Sequence, residues 1–232
     1  MKNIVIIGAG KGIGLSIVEH LKDDHALFAI TRTPSEDLEL WGVRTTVFNA
    51  ASDDWTKLDQ FPDEIHGLVY CPGSINLKPF NRLGVEDFLA DFHQNVLGAV
   101  KAIQSLLPKL RRGKASVVLF STVAAKLGMP YHASIASSKA AVEGLAKSLA
   151  AEFAAIPIRF NVVAPSLSDT TLAQNLLNSP EKREAAAKRH PIQRIGTAED
   201  SANLVKFLLS DNSSWLTGQV IGVDGGLGSL KV

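Results

Sequence analysis

Short apolar runs recur along the chain at 3–7, 26–31, 44–48, 67–71, 115–120, 157–163 and 219–223, and most of the intervals between them have helical periodicity. The runs are continuously apolar rather than alternating with polar residues, as expected of strands buried on both faces. Continuous strands alternating with helices predict a parallel sheet with helices on each side, a doubly wound α/β domain. In that architecture ligands bind at the carboxyl ends of the strands, so the residues following each run are where chemistry is sought.

Three helical intervals differ in character. Residues 86–110 carry Phe88, Phe92, Val96, Val100, Ile103, Leu107 and Leu110 at three- and four-residue spacing. This predicts one buried face, with both aromatics in the core. Residues 132–154 instead carry Ala133, Ser137, Ala140, Gly144, Ser148 and Ala151 at similar spacing. Such a small-residue stripe allows close approach of another helix, from the same fold or from a second copy. Residues 172–189 are also helical in pattern.

The first apolar run passes directly into Gly8-Ala9-Gly10-Lys11-Gly12-Ile13-Gly14 and reopens as Leu15-Ser16-Ile17-Val18. This reads as a strand, a tight glycine turn and a helix. The free amides and positive dipole end of a helix N-terminus suit a pyrophosphate, and glycine permits both the turn and close approach of the ligand. Ile13 stands where the third glycine of the common G-x-G-x-x-G would fall. The pattern is therefore Gly8-x-x-x-Gly12-x-Gly14, whose middle glycine faces the phosphates and whose last lets helix and strand pack closely.

The end of the second run sets an expectation for the nucleotide. An acidic residue there accepts hydrogen bonds from the ribose 2′-hydroxyl of NAD. This chain reads Thr31-Arg32-Thr33, with no carboxylate before Glu36. Arg32 and Lys11 are suited to a 2′-phosphate through charge-assisted hydrogen bonds, so NADP(H) is expected in preference to NAD(H).

Composition narrows the remaining classes. With 46% hydrophobic residues among 232 and no linker-like segment, one domain over 1–232 is expected. Twenty-four Lys and Arg against 23 Asp and Glu leave no basic stripe for nucleic acid or an anionic membrane. No apolar run approaches the roughly 18 residues of a membrane helix. The lone Cys71 excludes an internal disulfide, and the first apolar run begins at Asn3, leaving no room for a signal peptide. A cytoplasmic location is expected. The six histidines show no zinc spacing, so no metal site is expected.

Later segments make the pattern specific. Beside the glycine loop stand Asn95, Ser121-Thr122-Val123-Ala124, Ser138-Lys139-Ala140-Ala141-Val142, Asn161-Val162-Val163-Ala164-Pro165, Asp169-Thr170, 194–200, and Thr217 through Gly226. In order and spacing the chain resembles the short-chain dehydrogenase/reductase family over nearly its whole length. The resemblance implies a single Rossmann-type domain, a nicotinamide cofactor, a small carbonyl or alcohol substrate and a homodimer or homotetramer. It places Asn49 and Ala50 against the adenine, Gly73, Pro165 and Ser166 in the cofactor wall, and Thr170 on the nicotinamide carboxamide. A substrate lid is implied at about 166–192.

Family members use an Asn, a Ser, a Tyr and a Lys four residues after the Tyr. Transferred position by position, these fall on Asn95, Thr122, Ile135 and Lys139. The lysine is expected to grip the nicotinamide ribose and the threonine hydroxyl to orient the substrate oxygen, but isoleucine has no proton to give. Two further departures touch the pocket: Tyr70-Cys71-Pro72-Gly73 stands for the usual Asn-Asn-Ala-Gly, and Ser166 stands for a glycine. Three resolutions are open from the residues alone. His132 or Tyr131 could act as the acid, a water could relay through Thr122 and Lys139, or the chain could be a nucleotide-binding pseudoenzyme serving as sensor or assembly partner with little turnover.

Overall fold

The strands in chain order are β1 (Lys2–Ile7), β2 (His25–Thr31), β3 (Arg44–Val47), β4 (Gly67–Tyr70), β5 (Ser116–Phe120), β6 (Arg159–Pro165), a separate two-residue pair β7 (Ser168–Asp169) and β8 (Gly196–Thr197), and β9 (Val220–Val223). They come from a computed structural model that describes residues 1–58 and 60–231. Seven of them form one sheet in the order β3-β2-β1-β4-β5-β6-β9, every pair parallel. The order reverses between β1 and β4, and a ligand crevice opens at such a switch point because connections on its two sides diverge.

The helices are α1 (Gly12–Leu21), α2 (Glu36–Leu40), α3 (Val85–Phe92), α4 (Gly98–Arg112), α5 (Ala133–Glu152), α6 (Pro180–Lys188) and α7 (Ala198–Leu209). Successive strand residues point to opposite faces, so each continuously apolar strand feeds two cores. Ile4, Ile6, Val69 and Val118 pack with Ile17 and Leu21 of α1 and Val205 and Leu208 of α7. Val5, Ile7, Leu68, Val117 and Phe160 pack with Ile103 and Leu110 of α4 and Val142 of α5.

The interval 86–110 is not one regular helix. A π-helical turn, His93–Leu97, joins α3 to α4. Such a turn holds one extra residue, and at 3.6 residues per turn this rotates α3 by about 100° relative to α4. Val96, Ile103 and Leu110 are consequently buried, while Phe88 is half-buried and Phe92 is 39% exposed. The expectation that both aromatics belong to the core is corrected for Phe92. The same turn brings Asn95, which is 1% exposed, into the interior.

Helix α5 occupies the expected 132–154 interval. In its small-residue stripe Ser137, Ala140, Gly144, Ser148 and Ala151 are all exposed, so the stripe is not used for packing within the fold. The interval 172–189 divides into a 3₁₀ segment, Thr171–Leu176, and α6. The division falls at Ser179-Pro180, where the Ser179 hydroxyl caps the Lys182 amide and proline takes the first helical position.

Two sequence motifs prove to be structural. Asn161 is fully buried, donates to the Leu216 carbonyl at 2.9 Å and accepts from the Gln219 amide at 3.1 Å, fixing β6 to the segment entering β9. Asp200 pairs with Arg194 at 2.7 Å and completes a capping box with Thr197 at the start of α7. Among the described residues no helix is long and apolar enough to cross a membrane.

Phe160 is fully buried where β6 meets Phe153, with ring centroids 5.9 Å apart. Phe160→Ala should lower stability by about 3–5 kcal/mol. Leu40→Ala, at a side chain 83% exposed, should change it by less than about 0.5 kcal/mol. Urea denaturation of the two variants measures the difference.

Candidate active site

The glycine loop joins β1 to α1 across the switch point. Gly8 has φ +80° and its amide donates to the Ile30 carbonyl at 2.8 Å, so the turn is held against β2. A β-carbon on Gly14 would run into the Gly8 carbonyl, and one on Gly10 would lie 3.2 Å from Thr31 Cγ2. Gly12, with φ +55°, begins α1 opposite Thr170, whose Cβ would stand 3.4 Å from an added side-chain carbon. Lys11 precedes the helix in extended conformation, no side chain caps the first turn and no acidic residue lies in it. Those amides are therefore available to an anion, and Ile13 is half-buried among them.

At the end of β2, Arg32 and Lys11 are both exposed. Between them Ser35 hydrogen-bonds the Gly10 carbonyl at 3.4 Å, and the buried Thr31 hydroxyl has no partner. Sequence reasoning passed over Ser35, whose place beside the loop follows from the turn that brings Gly10 and Ser35 together. Asn49 is half-buried and its side chain accepts from the Ala51 amide, while the buried Ala50 carbonyl accepts from Trp55 Nε1 at 3.1 Å. These bonds shape the turn after β3.

The expected catalytic residues converge at the ends of β4 and β5. Lys139 is 7% exposed and donates from Nζ to the Phe120 carbonyl at 2.9 Å. Burial lowers its pKa to about 8, opposed by its neighbours Cys71 and Asp91. Asn95 donates from Nδ2 to the Asp91 carbonyl at 2.8 Å and to Ser138 Oγ at 3.2 Å, leaving its buried Oδ1 without a partner. A β-carbon on Gly73 would lie 3.8 Å from Lys139 Nζ and 3.9 Å from Asn95 Oδ1, so these two atoms flank the space above that glycine. Thr122 Oγ1 accepts from the Ala124 amide at 3.3 Å, and its proton is free for an oxygen in the crevice.

Ile135 is 6% exposed and apolar, so the phenol's position offers no acid. Neither alternative acid is hydrogen-bonded to Thr122, Asn95 or Lys139. His132 directs Nδ1 to the Pro130 carbonyl at 2.7 Å in the turn before α5. Tyr131 sits in the left-handed region at φ +70° with 58% of its surface exposed.

The wall beyond Pro165 contains a contact that the sequence did not reveal. Ser166 donates its amide to the Val223 carbonyl at 3.1 Å, and its Oγ lies 2.9 Å from Nε2 of His190. The other ring nitrogen of His190 is 2.8 Å from the Ala186 carbonyl at the end of α6. These residues border a cavity of about 280 Å³ that Ile192, Arg194 and Asp224 also line. Thr170 donates to the Ser168 carbonyl at 3.4 Å.

The geometry is matched by known proteins. A family model described as enoyl-(acyl carrier protein) reductase covers residues 8–228. A solved short-chain type dehydrogenase/reductase from Mycobacterium ulcerans superposes with a TM-score of 0.91 at 28% identity, over 98% of this chain and 90% of that one. The chain belongs to the short-chain dehydrogenase/reductase family. It is 32% identical to the 3-oxoacyl-[acyl-carrier-protein] reductase FabG of Thermotoga maritima over 97% of both chains. ElxO, solved with NADP bound, has a TM-score of 0.87 and 27% identity over 99% of each chain. The chain is thus related along its length to oxidoreductases, and its crevice fits the dinucleotide. Gly14 has no room for a side chain, Gly8 and Gly10 would be tightly crowded by one, Gly12 has a positive φ, and two orphaned buried oxygens, Thr31 Oγ1 and Asn95 Oδ1, mark the crevice.

Within this family site, Cys71 faces Lys139 from the loop after β4, and burial pushes its thiol pKa up to about 12 despite the neighbouring ammonium. At pH 8 the thiolate fraction is then on the order of 10³-fold below that of an ordinary cysteine. Iodoacetamide at pH 8 should therefore modify native Cys71 about 10³-fold more slowly than the unfolded chain, as followed by mass spectrometry.

Proposed function

We propose that the protein is an NADP(H)-dependent carbonyl reductase in which Lys139 replaces the family's tyrosine as the source of the proton. The observation that carries this reading is the pairing of a buried lysine, its pKa lowered to about 8, with the apolar Ile135. A group with that pKa is a competent acid near neutral pH. When bound, the reduced nicotinamide would supply a hydride to the carbonyl carbon of a small ketone or aldehyde. Thr122 would donate its free hydroxyl proton in a hydrogen bond to the carbonyl oxygen. Lys139 would replenish the proton through a water in the polar niche shared with Asn95 Oδ1, and its remaining hydrogens would hold the ribose. The reverse oxidation of an alcohol would use the same groups in the opposite sense.

Gly8, Gly10, Gly12, Ile13 and Gly14 would cradle the pyrophosphate with their backbone. Lys11 and Arg32 would meet the 2′-phosphate, Asn49 and Ala50 would border the adenine, and Gly73, Pro165, Ser166 and Thr170 would enclose the nicotinamide half. The 3-oxoacyl substrate named for the FabG relative is itself a ketone, which supports the carbonyl class. A homodimer or homotetramer is supported by the exposed small-residue stripe on α5 and by Leu89 and Phe92 left partly exposed on α3.

The proton source is tested by following NADPH absorbance with a panel of ketones and aldehydes. Lys139 must be charged to give its proton, so reduction should fall as pH rises through about 8. Lys139→Met should lose about 10²-fold or more in kcat. Tight NADPH binding without turnover across the panel would instead favour the sensor reading.

The nucleotide preference has a separate test. A charge-assisted hydrogen bond contributes about 1.5–3 kcal/mol, so Arg32→Ala should weaken NADPH binding by about tenfold or more. NADH binding should change little. Fluorescence titration of both nucleotides measures the contrast.

A further inference from the structure

Asp91, on the last turn of α3, is 2% exposed. Its two carboxylate oxygens accept hydroxyl hydrogen bonds, Oδ1 from Ser74 and Oδ2 from Ser134, each at 2.5 Å. Its backbone carbonyl accepts the side-chain amide of Asn95. No ion pair within the described residues includes it. A buried carboxylate held only by neutral donors is costly unless a cation lies near, and the buried cation of this region is Lys139, which likewise forms no ion pair.

We propose that Asp91 is a positioning residue that keeps Lys139 in its ammonium form, its carboxyl group oriented by Ser74 and Ser134, so that the site retains an acid where the phenol has been lost. This inference rests on Lys139 being the proton source.

The other groups facing Lys139 are poorly placed for the role. From β5 it meets only the neutral Phe120 carbonyl, and from the π-helical turn only the uncharged Asn95. Cys71, from the loop after β4, keeps its thiol protonated up to about 12 and so carries no charge at neutral pH. Glu143, one turn along α5, is 8% exposed and accepts from the Ser121 hydroxyl at 2.7 Å. It is the competing counter-charge. Asp91 differs from it in touching the site twice, through its carbonyl on Asn95 and through Ser134, the residue preceding Ile135.

The sign of the effect follows. A nearby negative charge favours the ammonium, so neutralising Asp91 should lower the Lys139 pKa, by about one unit. The direct readout is carbon-13 NMR of lysine Cε in the full chain without cofactor, with the Lys139 signal assigned by its loss in Lys139→Met. The native midpoint should lie near 8. Asp91→Asn should lower it by about one unit, and Glu143→Gln by less. If Asp91→Asn fails to fold, the double change Ser74→Ala and Ser134→Ala, which withdraws the hydroxyls that orient the carboxyl group, should move the midpoint the same way. An unchanged midpoint in the folded variants, or a larger shift from Glu143→Gln, would overturn the proposal. The pH profile of kcat separates the two readings. Where the NMR midpoint moves and the basic limb of turnover does not, Asp91 has its assigned role and Lys139 is not the acid. Where both move together, both readings hold.

Discussion

The hydrogen bond from Lys139 Nζ to the Phe120 carbonyl joins the centre of α5 to the end of β5, and it constrains everything around the site. A lysine buried this deeply must satisfy its charge locally, because the ammonium is penalised by desolvation. The surrounding elements meet that requirement in layers. β5 provides a carbonyl, the π-helical turn brings Asn95 alongside, and α3 places a carboxylate behind it. On the remaining side lies Gly73, where an added β-carbon would stand in van der Waals contact with both Nζ and Asn95 Oδ1. The site is thus an island of polarity whose only open face is the crevice.

The π-helical turn at 93–97 is the backbone feature that makes this arrangement possible. A regular helix would continue the apolar face of α4 through the position of Asn95 and would carry Phe92 toward the core. The inserted residue turns Phe92 outward while Asn95 stays inward, and it interrupts the regular backbone ladder of the helix. The bond from Asn95 to the Asp91 carbonyl at 2.8 Å bridges the interruption from the side chain. Its second bond, to Ser138, ties the turn to α5. Local irregularity and side-chain polarity therefore compensate one another, and neither would be stable alone.

Much of this was legible in the sequence because it depends on short-range rules. Continuous apolar runs specified the parallel sheet to within about two residues, the largest shift being at β6, where Pro157 and Ile158 precede the strand. The glycine spacing marked the tight turn from β1 into α1 because a side chain on Gly14 would run into the Gly8 carbonyl. What escaped depends on where a helix points after an irregular turn, or on which loops meet. The burial of Asp91 could not be read from a helix with a polar residue at that phase, and the exposure of Phe92 contradicted a stripe that looked continuous. The Ser166–His190 contact joins residues 24 apart through a break at Ser179-Pro180 that the helical pattern of 172–189 concealed. Ser166 was recognisable as unusual, but its partner was not.

That contact also fixes the segment that follows β6. His190 links the carbonyl terminus of α6 to the wall after β6 through both of its ring nitrogens, so the far end of the 166–192 segment is anchored while Thr171–Leu176 and the start of α6 are more exposed. The loss of the phenol then has a physical context. A positioned general acid contributes about 10² to 10⁴ in rate, or roughly 3–5 kcal/mol of barrier. Under the proposed role, a lysine whose pKa is about 8 recovers part of that term, because the burial that disfavours its ammonium also makes it a stronger acid.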